Sequence, residues 1–202
     1  SIHLCPTGTS AQNVKAMIGS DSKVYVTGNT VLDNLYGMSP EISNQVIVTM
    51  HRRENHHWIK EWFGEINSLA KKYNELEFVL PIHPNPNVYN HKDILTHVKV
   101  IDPLSYDECI DLIRTCRTII TDSGGIQEES AFFKKKCIVC RKISERSEGV
   151  GTFAYMCKQP NDLAGIFESI IDSGKFLVDG ECPYGDGKAA DKILQIFNED
   201  LL

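Results

Sequence analysis

The sequence predicts an α/β fold, a Rossmann-like parallel sheet whose strands are joined by crossover helices. The main observation is that short apolar runs alternate with helix-compatible stretches along most of the chain. At 202 residues the chain is long enough for one sizeable core. No repeat, low-complexity tract or linker rich in Pro, Gly and Ser divides it.

The predicted strands are short apolar runs, and the predicted helices lie between and after them. In chain order the strands cover Ile2–Cys5, Val24–Thr27, Val46–Thr49, Phe78–Ile82, Val98–Ile101, Thr118–Thr121 and Cys137–Cys140. The helices cover about Thr9–Ile18, Ile59–Tyr73, Asp93–Thr96, Tyr106–Cys116, the stretch from the glycines at 124–125 to Phe133, Asn161–Asp172 and Lys188–Phe197. In the fourth of these helices the apolar residues are spaced for burial of one face.

The composition is that of an ordinary soluble globular protein, with 42% hydrophobic and 24% charged residues. A formal net charge of −6 gives no general attraction to nucleic acid or acidic membranes, so we expect neither as a partner. No apolar run approaches membrane-spanning length, and no signal-peptide pattern opens the chain. Seven cysteines without a disulfide framework favour a reducing compartment, and we expect a cytoplasmic location.

Two short motifs could suggest a metal, the C-x-x-C pattern of Cys137–Cys140 and the pair His56-His57. The cysteines fall on a predicted strand, where residues three apart face opposite sides, so we expect buried thiols. The histidine pair has no partner pair at a useful spacing. We therefore predict neither a metal site nor a cofactor.

The segment 121–129, TDSGGIQEE, is the most informative stretch of the chain. It places a Ser-Gly-Gly turn between a buried strand and a new helix, where the backbone can approach a ligand and helical N–H groups lack intrahelical partners. This arrangement suits a diphosphate. A carboxylate one turn later, Glu128 or Glu129, suits the vicinal diol of a ribose. The alternative is a tight strand-to-helix connection whose carboxylates only complement the helix dipole.

Three further polar segments follow predicted strands and should lie at the same carboxyl edge of the sheet. Residues 51–55, HRREN, offer an imidazole and two guanidinium forks for phosphate, unless the loop is solvated and self-paired. Two prolines stiffen the loop that holds His83, which also fits a simple rigid connection. Arg146 either closes over a phosphate or ribose, or belongs to an exposed Arg-Glu pair. The convergence of four strand ends favours an anion site.

With these motifs in this order, the chain resembles the non-hydrolysing UDP-N-acetylglucosamine 2-epimerases over nearly all of its length. The motifs that carry the resemblance are 6–9 (PTGT), 27–31 (TGNTV), 51–55 (HRREN), 83–86 (HPNP), 122–129 (DSGGIQEE), 145–146 (ER) and 183–189 (PYGDGKA). The chain departs from the family at Lys134–Cys137, where a Gly-Lys-Pro-like turn is usual, and at Ser147, where a proline is usual.

The resemblance implies the C-terminal half of a two-domain fold of the glycosyltransferase-B type, with UDP-N-acetylglucosamine and UDP as ligands. By position, Ser123, Gly124 and Gly125 would hold the diphosphate. Glu129 would hold the ribose, whereas helical spacing alone does not choose between Glu128 and Glu129. Arg146 would assist, the Pro103-Leu104 turn would hold the uracil through its backbone, and His51 would act at the reacting centre. Arg52 and His83 resemble contacts of an activating second UDP-N-acetylglucosamine.

The resemblance also implies a domain division and a limit on activity. Residues 1–27 would be a remnant of the N-terminal domain, 28–187 the UDP-binding domain, and 188–202 a helix crossing back to the missing half. The carboxylates that handle the sugar protons would lie in that half. We therefore expect the chain alone to bind UDP weakly and to epimerise little. A split gene, a second subunit supplied in trans and a degenerate paralogue all remain open, as does a nucleotide-sugar-binding module. The motifs at 51–55 and 127–129 argue against a glycosyltransferase of the same architecture. Exposed apolar surface on the incomplete pieces predicts self-association, so we expect a homo-oligomer.

Overall fold

The computed structural model describes residues 1–18 and 22–200, and the chain divides into two compact units. One, the terminal unit, comprises Ser1–Met38 and Gly180–Leu202; the other, the sheet unit, comprises Ser39–Asp179. Among the described residues, no helix combines the length and the apolar content that a membrane crossing requires.

The terminal unit begins with two parallel strands, β1 (Ile2–Cys5) and β2 (Lys23–Val26), with the helix α1 (Gly8–Ile18) between them in the chain. A 3-10 helix over Thr30–Leu35 follows, and Asn29 accepts a hydrogen bond at its start.

The sheet unit is built on one six-stranded sheet in which every neighbouring pair is parallel. Its strands are β3 (Gln45–Thr49), β4 (Glu77–Pro81), β5 (Lys99–Ile101), β6 (Thr118–Thr121), β7 (Cys137–Val139) and β8 (Ala154–Met156). They are arranged in the order β5-β4-β3-β6-β7-β8. All four residues of β6 are buried, as expected for a central parallel strand covered on both faces.

Five helices accompany these strands: α2 (Ile59–Lys72), α3 (Pro86–Tyr89), α4 (Tyr106–Thr115), α5 (Gly124–Phe132) and α6 (Leu163–Asp172). The longest, α2, buries Ile59, Trp62, Phe63, Ile66 and Leu69, which recur at helical spacing. This stripe joins strand residues and α6 in one apolar core. A reciprocal capping box between Ser105 and Glu108 starts α4.

The last helix, α7 (Ala189–Asp200), is fastened to the 3-10 helix of the same terminal unit. The carboxylate of Asp33 accepts hydrogen bonds from the N–H groups of Ala189 and Ala190, at 2.8 and 2.7 Å. Beside this cap the backbones of Gly28 and Gly185 approach closely, since a Cβ added to Gly185 would lie 3.0 Å from the Cα of Gly28. Two of the motifs singled out in the sequence, 27–31 and 183–189, therefore meet.

The α/β fold with a parallel sheet and crossover helices is confirmed, with differences at the ends of elements. The helix predicted over Asp93–Thr96 is wrong: the chain forms α3 and then a 3-10 turn over Lys92–Ile94. Cys137 and Cys140 are fully buried free thiols, as predicted. In the structure the chain divides into compact units at 38–39 and at 179–180. The predicted domains 1–27, 28–187 and 188–202 remain a prediction. The last two residues of the third predicted domain lie outside the described residues.

Candidate functional site

The candidate site lies where the strand order of the sheet reverses. From β3 the chain moves outward through β4 to β5, then returns to the other side of β3 and continues through β6, β7 and β8. Ligands of open α/β sheets bind outside the carboxyl ends of the strands at such a reversal. Thr49 and Thr121, the last residues of β3 and β6, are paired in register, and their hydroxyl oxygens lie 2.5 Å apart. The loops that begin at residues 50 and 122 therefore emerge side by side.

Asp122 ties these two loops together. Its fully buried carboxylate accepts hydrogen bonds from the backbone N–H groups of His51 and Arg52, at 3.0 and 2.9 Å. The side-chain amide of Asn55 donates to the same carboxylate at 3.0 Å, and to the carbonyl oxygen of Cys140 at 2.9 Å. The imidazole Nδ1 of His51 lies 3.3 Å from Asp122 Oδ1. One carboxylate and one amide thus connect the ends of β3, β6 and β7.

Asp122 and Asn55 stand within motifs of the sequence, but the motifs alone predicted a role for neither residue. A usable signal was present, because an acidic residue directly after a buried strand needs several donors nearby. The adjoining strand end supplies them as backbone N–H groups, which no residue pattern displays.

The Ser123-Gly124-Gly125 turn starts α5 as predicted. Ser123 has extended backbone geometry at the N-cap, and its side chain makes no capping hydrogen bond. Its own N–H donates to the Thr121 hydroxyl at 2.9 Å, which fixes the direction of the turn. The first N–H groups of α5 therefore lack the usual side-chain acceptor and can serve an anion.

Arg146 lies against this turn. A Cβ added to Gly124 would come within 2.9 Å of Glu145 Oε1 and 3.1 Å of Arg146 Nη1. A glycine is needed there because the loop after β7 passes so close to the start of α5. The predicted diphosphate residues and Arg146 are therefore brought together.

A chain of ion pairs continues from Arg146 around the site. Arg146 donates to Glu128 at 2.7 Å and to Glu145 at 2.6 Å. Glu145 also accepts from Arg141 at 2.5 Å, and Arg141 donates to Glu54 at 2.8 Å. Glu54 is thus paired with an arginine from another loop, rather than with its sequence neighbours as the self-paired alternative supposed.

The two carboxylates of α5 have different surroundings, although both are buried. Glu128 is paired with Arg146, whereas Glu129 is hydrogen-bonded to the side chain of Tyr106. Burial, reinforced by the nearby charge of Glu128, raises the pKa of Glu129 to about 7. The hydrogen bond from Tyr106 opposes this shift. Leu104, the predicted uracil contact, is half-buried two residues before Tyr106, in the loop that joins β5 to α4.

The other predicted site residues cluster at the end of β3. The imidazole rings of His51 and His83 are stacked, with centroids 5.7 Å apart and planes inclined by 18°. Burial lowers the pKa of His51, Asp122 opposes that effect, and His83, Arg52 and His56 lower the pKa further. Arg52 Nη2 lies 3.5 Å from Glu145 Oε1, which links this cluster to the ion pairs. Among the described residues, no group of three or more His, Cys, Asp or Glu side chains is arranged to hold a metal ion.

Comparison with known proteins identifies relatives of this chain. A family model described as UDP-N-acetylglucosamine 2-epimerase matches residues 1–198. Curated relatives of that name include one from Campylobacter jejuni, 32% identical, and one from Neisseria meningitidis, 33% identical. They align with 97% and 96% of this chain, which spans 60% of the length of each.

Solved structures agree with this assignment. The crystal structure of UDP-GlcNAc 2-epimerase from Neisseria meningitidis bound to UDP-GlcNAc is 31% identical, with a TM-score of 0.84. It aligns with 98% of this chain, which covers 62% of it. A co-structure of Staphylococcus aureus MnaA with UDP is 28% identical, with a TM-score of 0.84, and aligns with 99% of this chain, which covers 59% of it. The chain therefore belongs to the UDP-N-acetylglucosamine 2-epimerase family.

Proposed function

We propose that this chain supplies the UDP-binding part of a UDP-N-acetylglucosamine 2-epimerase. The observation that carries the proposal is the meeting of three groups at the reversal of strand order: the Ser123–Gly125 turn, the Arg146 guanidinium beside Gly124, and the buried Glu129 one helical turn further along α5. A diphosphate at the turn would receive N–H hydrogen bonds and a cation, and the ribose would donate its hydroxyls to Glu129. The Pro103-Leu104 backbone would then hold the uracil.

The reaction that follows is inversion of carbon 2 of the sugar. The proton on carbon 2 is removed and the bond from carbon 1 to UDP breaks, giving a 2-acetamidoglucal. A proton then returns to the opposite face of carbon 2, and UDP adds again to carbon 1. Negative charge builds on the diphosphate as it leaves, so the α5 N–H groups and Arg146 stabilise the transition state more than the bound substrate.

We assign His51 to the reacting centre because of its position in the family motif; the Asp122 carboxylate holds its loop beside the Ser123–Gly125 turn. Burial lowers its pKa, so the imidazole is neutral near neutral pH and is able to exchange a proton with the diphosphate or the sugar. Arg52 and the stacked His83 would contact a second, activating nucleotide sugar. The carboxylates that move the carbon-2 proton would come from the family's N-terminal domain, supplied by a longer chain or a partner.

The test is a calorimetric titration of this chain with UDP, followed by an epimerase assay with and without the N-terminal domain of the Campylobacter jejuni relative. We expect UDP to bind, turnover to be very low for the chain alone, and turnover to rise when the domain is added. Binding without rescued turnover would favour a nucleotide-sugar-binding module. Failure to bind UDP would overturn the proposal, and full activity of the isolated chain would refute the need for a second domain.

A further inference from the structure

The sheet unit contains a second cavity, of about 390 Å³, that the proposed UDP site does not use. It lies between the start of α2, Lys142 after β7 and the 3-10 helix over Pro160–Asp162 after β8. Neither the turn residues 123–125 nor His51, Arg52 and His83 line it. Its volume is in the range of ordinary small-molecule sites. We refer to it as the tryptophan cavity, because Trp58 and Trp62 both line it.

The lining of the tryptophan cavity offers flat apolar surface. Trp62 and Pro160 are buried, whereas Trp58 is 45% exposed and so presents its indole to an incoming molecule. The exposed Trp58 indole therefore supplies the aromatic face of the lining, because Trp62 has almost no accessible surface.

The charged residues around the cavity favour an anion. Lys142 and Lys158 line it from two different loops, and their ammonium groups form no ion pair within the described parts of the chain. Of the two acidic residues in the lining, Glu54 is already paired with Arg141 at 2.8 Å, which leaves Glu61 as the one other carboxylate. The start of α2 also adjoins the cavity, and a helix N-terminus adds positive potential.

We propose that the tryptophan cavity binds a small planar aromatic anion. The ring packs against the Trp58 indole, and the anionic group lies between Lys142 and Lys158. This ligand differs from a nucleotide sugar, and its site is separate from the proposed UDP site in its lining residues.

Trp58 and Trp62 are the only tryptophans in the chain, so tryptophan signals report directly on this cavity. The probe is nicotinate, which combines a planar aromatic ring with a carboxylate. We expect saturable quenching of tryptophan fluorescence, and a shift of the Trp58 indole N–H resonance in ¹H–¹⁵N spectra. The absence of any saturable change at either tryptophan would overturn the proposal. So would equally tight binding of nicotinamide, the uncharged analogue of the probe.

Variants test each contact separately. Replacing both Lys142 and Lys158 by alanine should weaken nicotinate binding about tenfold or more, since hydrogen bonds to charged groups are lost. Lys60→Ala, an exposed lysine of α2 outside the lining, should leave binding unchanged. Trp58→Leu removes the exposed indole and should weaken binding severalfold, as measured by calorimetry. Wild-type affinity in the double lysine variant would refute the proposed anion contact, even if Trp58→Leu failed to fold.

Discussion

At the residue scale, Asp122 shows how one buried carboxylate positions the loop that bears His51. Its oxygens accept from two consecutive backbone N–H groups and from the Asn55 amide, and one of them lies 3.3 Å from the His51 imidazole. Hydrogen bonds to a charged group contribute more than those between neutral groups. The orientation of His51 therefore depends on a residue from the neighbouring strand.

We predict that Asp122→Asn destabilises the chain by about 2–3 kcal/mol, because an amide NH₂ would face donors that now meet a carboxylate oxygen. Urea unfolding would measure the change in the free energy of unfolding. Asp93→Asn, an exposed aspartate on a 3-10 turn, is the matched control and should change stability by less than about 0.5 kcal/mol. Equal stability of the two variants would show that the Asp122 contacts contribute little.

Gly124 sets the distance between the helix start and Arg146. A methyl group at this position would lie 2.9 Å from Glu145 Oε1 and 3.1 Å from Arg146 Nη1, so the loop after β7 would have to move. We expect Gly124→Ala to weaken UDP binding about tenfold, or about 1.4 kcal/mol, as measured by calorimetry. In Gly64→Ala, where a Cβ on α2 meets open space, UDP affinity should be unchanged. Unaltered affinity in Gly124→Ala would argue against a role for this close approach.

Glu129 makes the stability of the fold depend on pH. Its folded pKa of about 7 exceeds the ordinary value, so between about pH 4.5 and 7 the folded state binds more protons than the unfolded chain. Its contribution to stability is complete at low pH and is lost as the pH rises through that window. Glu129→Gln should therefore be more stable than wild type above pH 7, by about 1–3 kcal/mol, with the difference vanishing near about pH 4.

The same pKa shift bears on UDP binding, because only the ionised carboxylate is a pure acceptor for a diol. UDP affinity of the wild type should rise with pH through about 7 more steeply than that of Glu129→Gln. The titration of the UDP phosphates is common to both proteins and cancels in the comparison. Parallel pH profiles in calorimetric titrations would rule out Glu129 as the ribose acceptor.

At the element scale, the sequence predicts long periodic segments well and short ones poorly. The buried strands and the α2 stripe follow from apolar spacing, which is fixed by the residues themselves. The three-residue strand β8 and the 3-10 helix over Arg53–Trp58 were missed, because such short segments carry no period and form through neighbours distant in sequence. In α3 a signal was available: Asn85 caps the helix and Pro86 occupies its first turn.

One of the departures from the family pattern lies at the end of α5 and places a lysine in a strained backbone conformation. Lys134 stands where a glycine is usual, and its φ is +59°, in the left-handed region that favours glycine. The next residue, Lys135, is fully buried, and its ammonium group donates to the carbonyl oxygens of Glu41 and Cys116. The left-handed turn at 134 therefore directs a buried lysine back toward the sheet.

Replacing Lys134 by glycine should relieve the strain of this turn and stabilise the chain by about 1 kcal/mol in urea unfolding. The same exchange at Lys60, in the first turn of the right-handed helix α2, should destabilise the chain by up to about 1 kcal/mol. If Lys134→Gly raises the free energy of unfolding and Lys60→Gly lowers it, the effect is determined by backbone conformation and not by the lost charge. Destabilisation at both positions would contradict it.

At the scale of the whole molecule, part of the site could be anticipated from sequence and part could not. The resemblance predicted that Ser123, Gly124, Glu129 and Arg146 belong to one binding site. In the structure, the Ser123–Gly125 turn and Arg146 lie close together. It could not supply the pairing of Arg146 with Glu128 or the buried bridge through Asp122, because these depend on how the ends of three strands meet. The predicted self-association and the roles of the site residues stay predictions.

The cysteines offer a test that covers both compact units. All seven are thiols, and five are buried, leaving Cys109 and Cys182 half-buried. Burial raises the pKa of Cys109 to about 11, and those of Cys116 and Cys137 to about 12, which suppresses the reactive thiolate. We expect alkylation of the native chain to be slow and confined to the two half-buried thiols, and all seven to react in denaturant. Mass spectrometry would reveal rapid native labelling of any buried thiol, which would contradict the packing.

The bridge through Asn55 and Asp122 has a consequence for protein engineering. The segment that bears His51 is not a portable module, since its shape is imposed by a side chain some seventy residues away and by the carbonyl of residue 140. Grafting it onto another scaffold would require transplanting all three strand termini as a set. Directed-evolution libraries that randomise this segment should likewise hold position 122 constant.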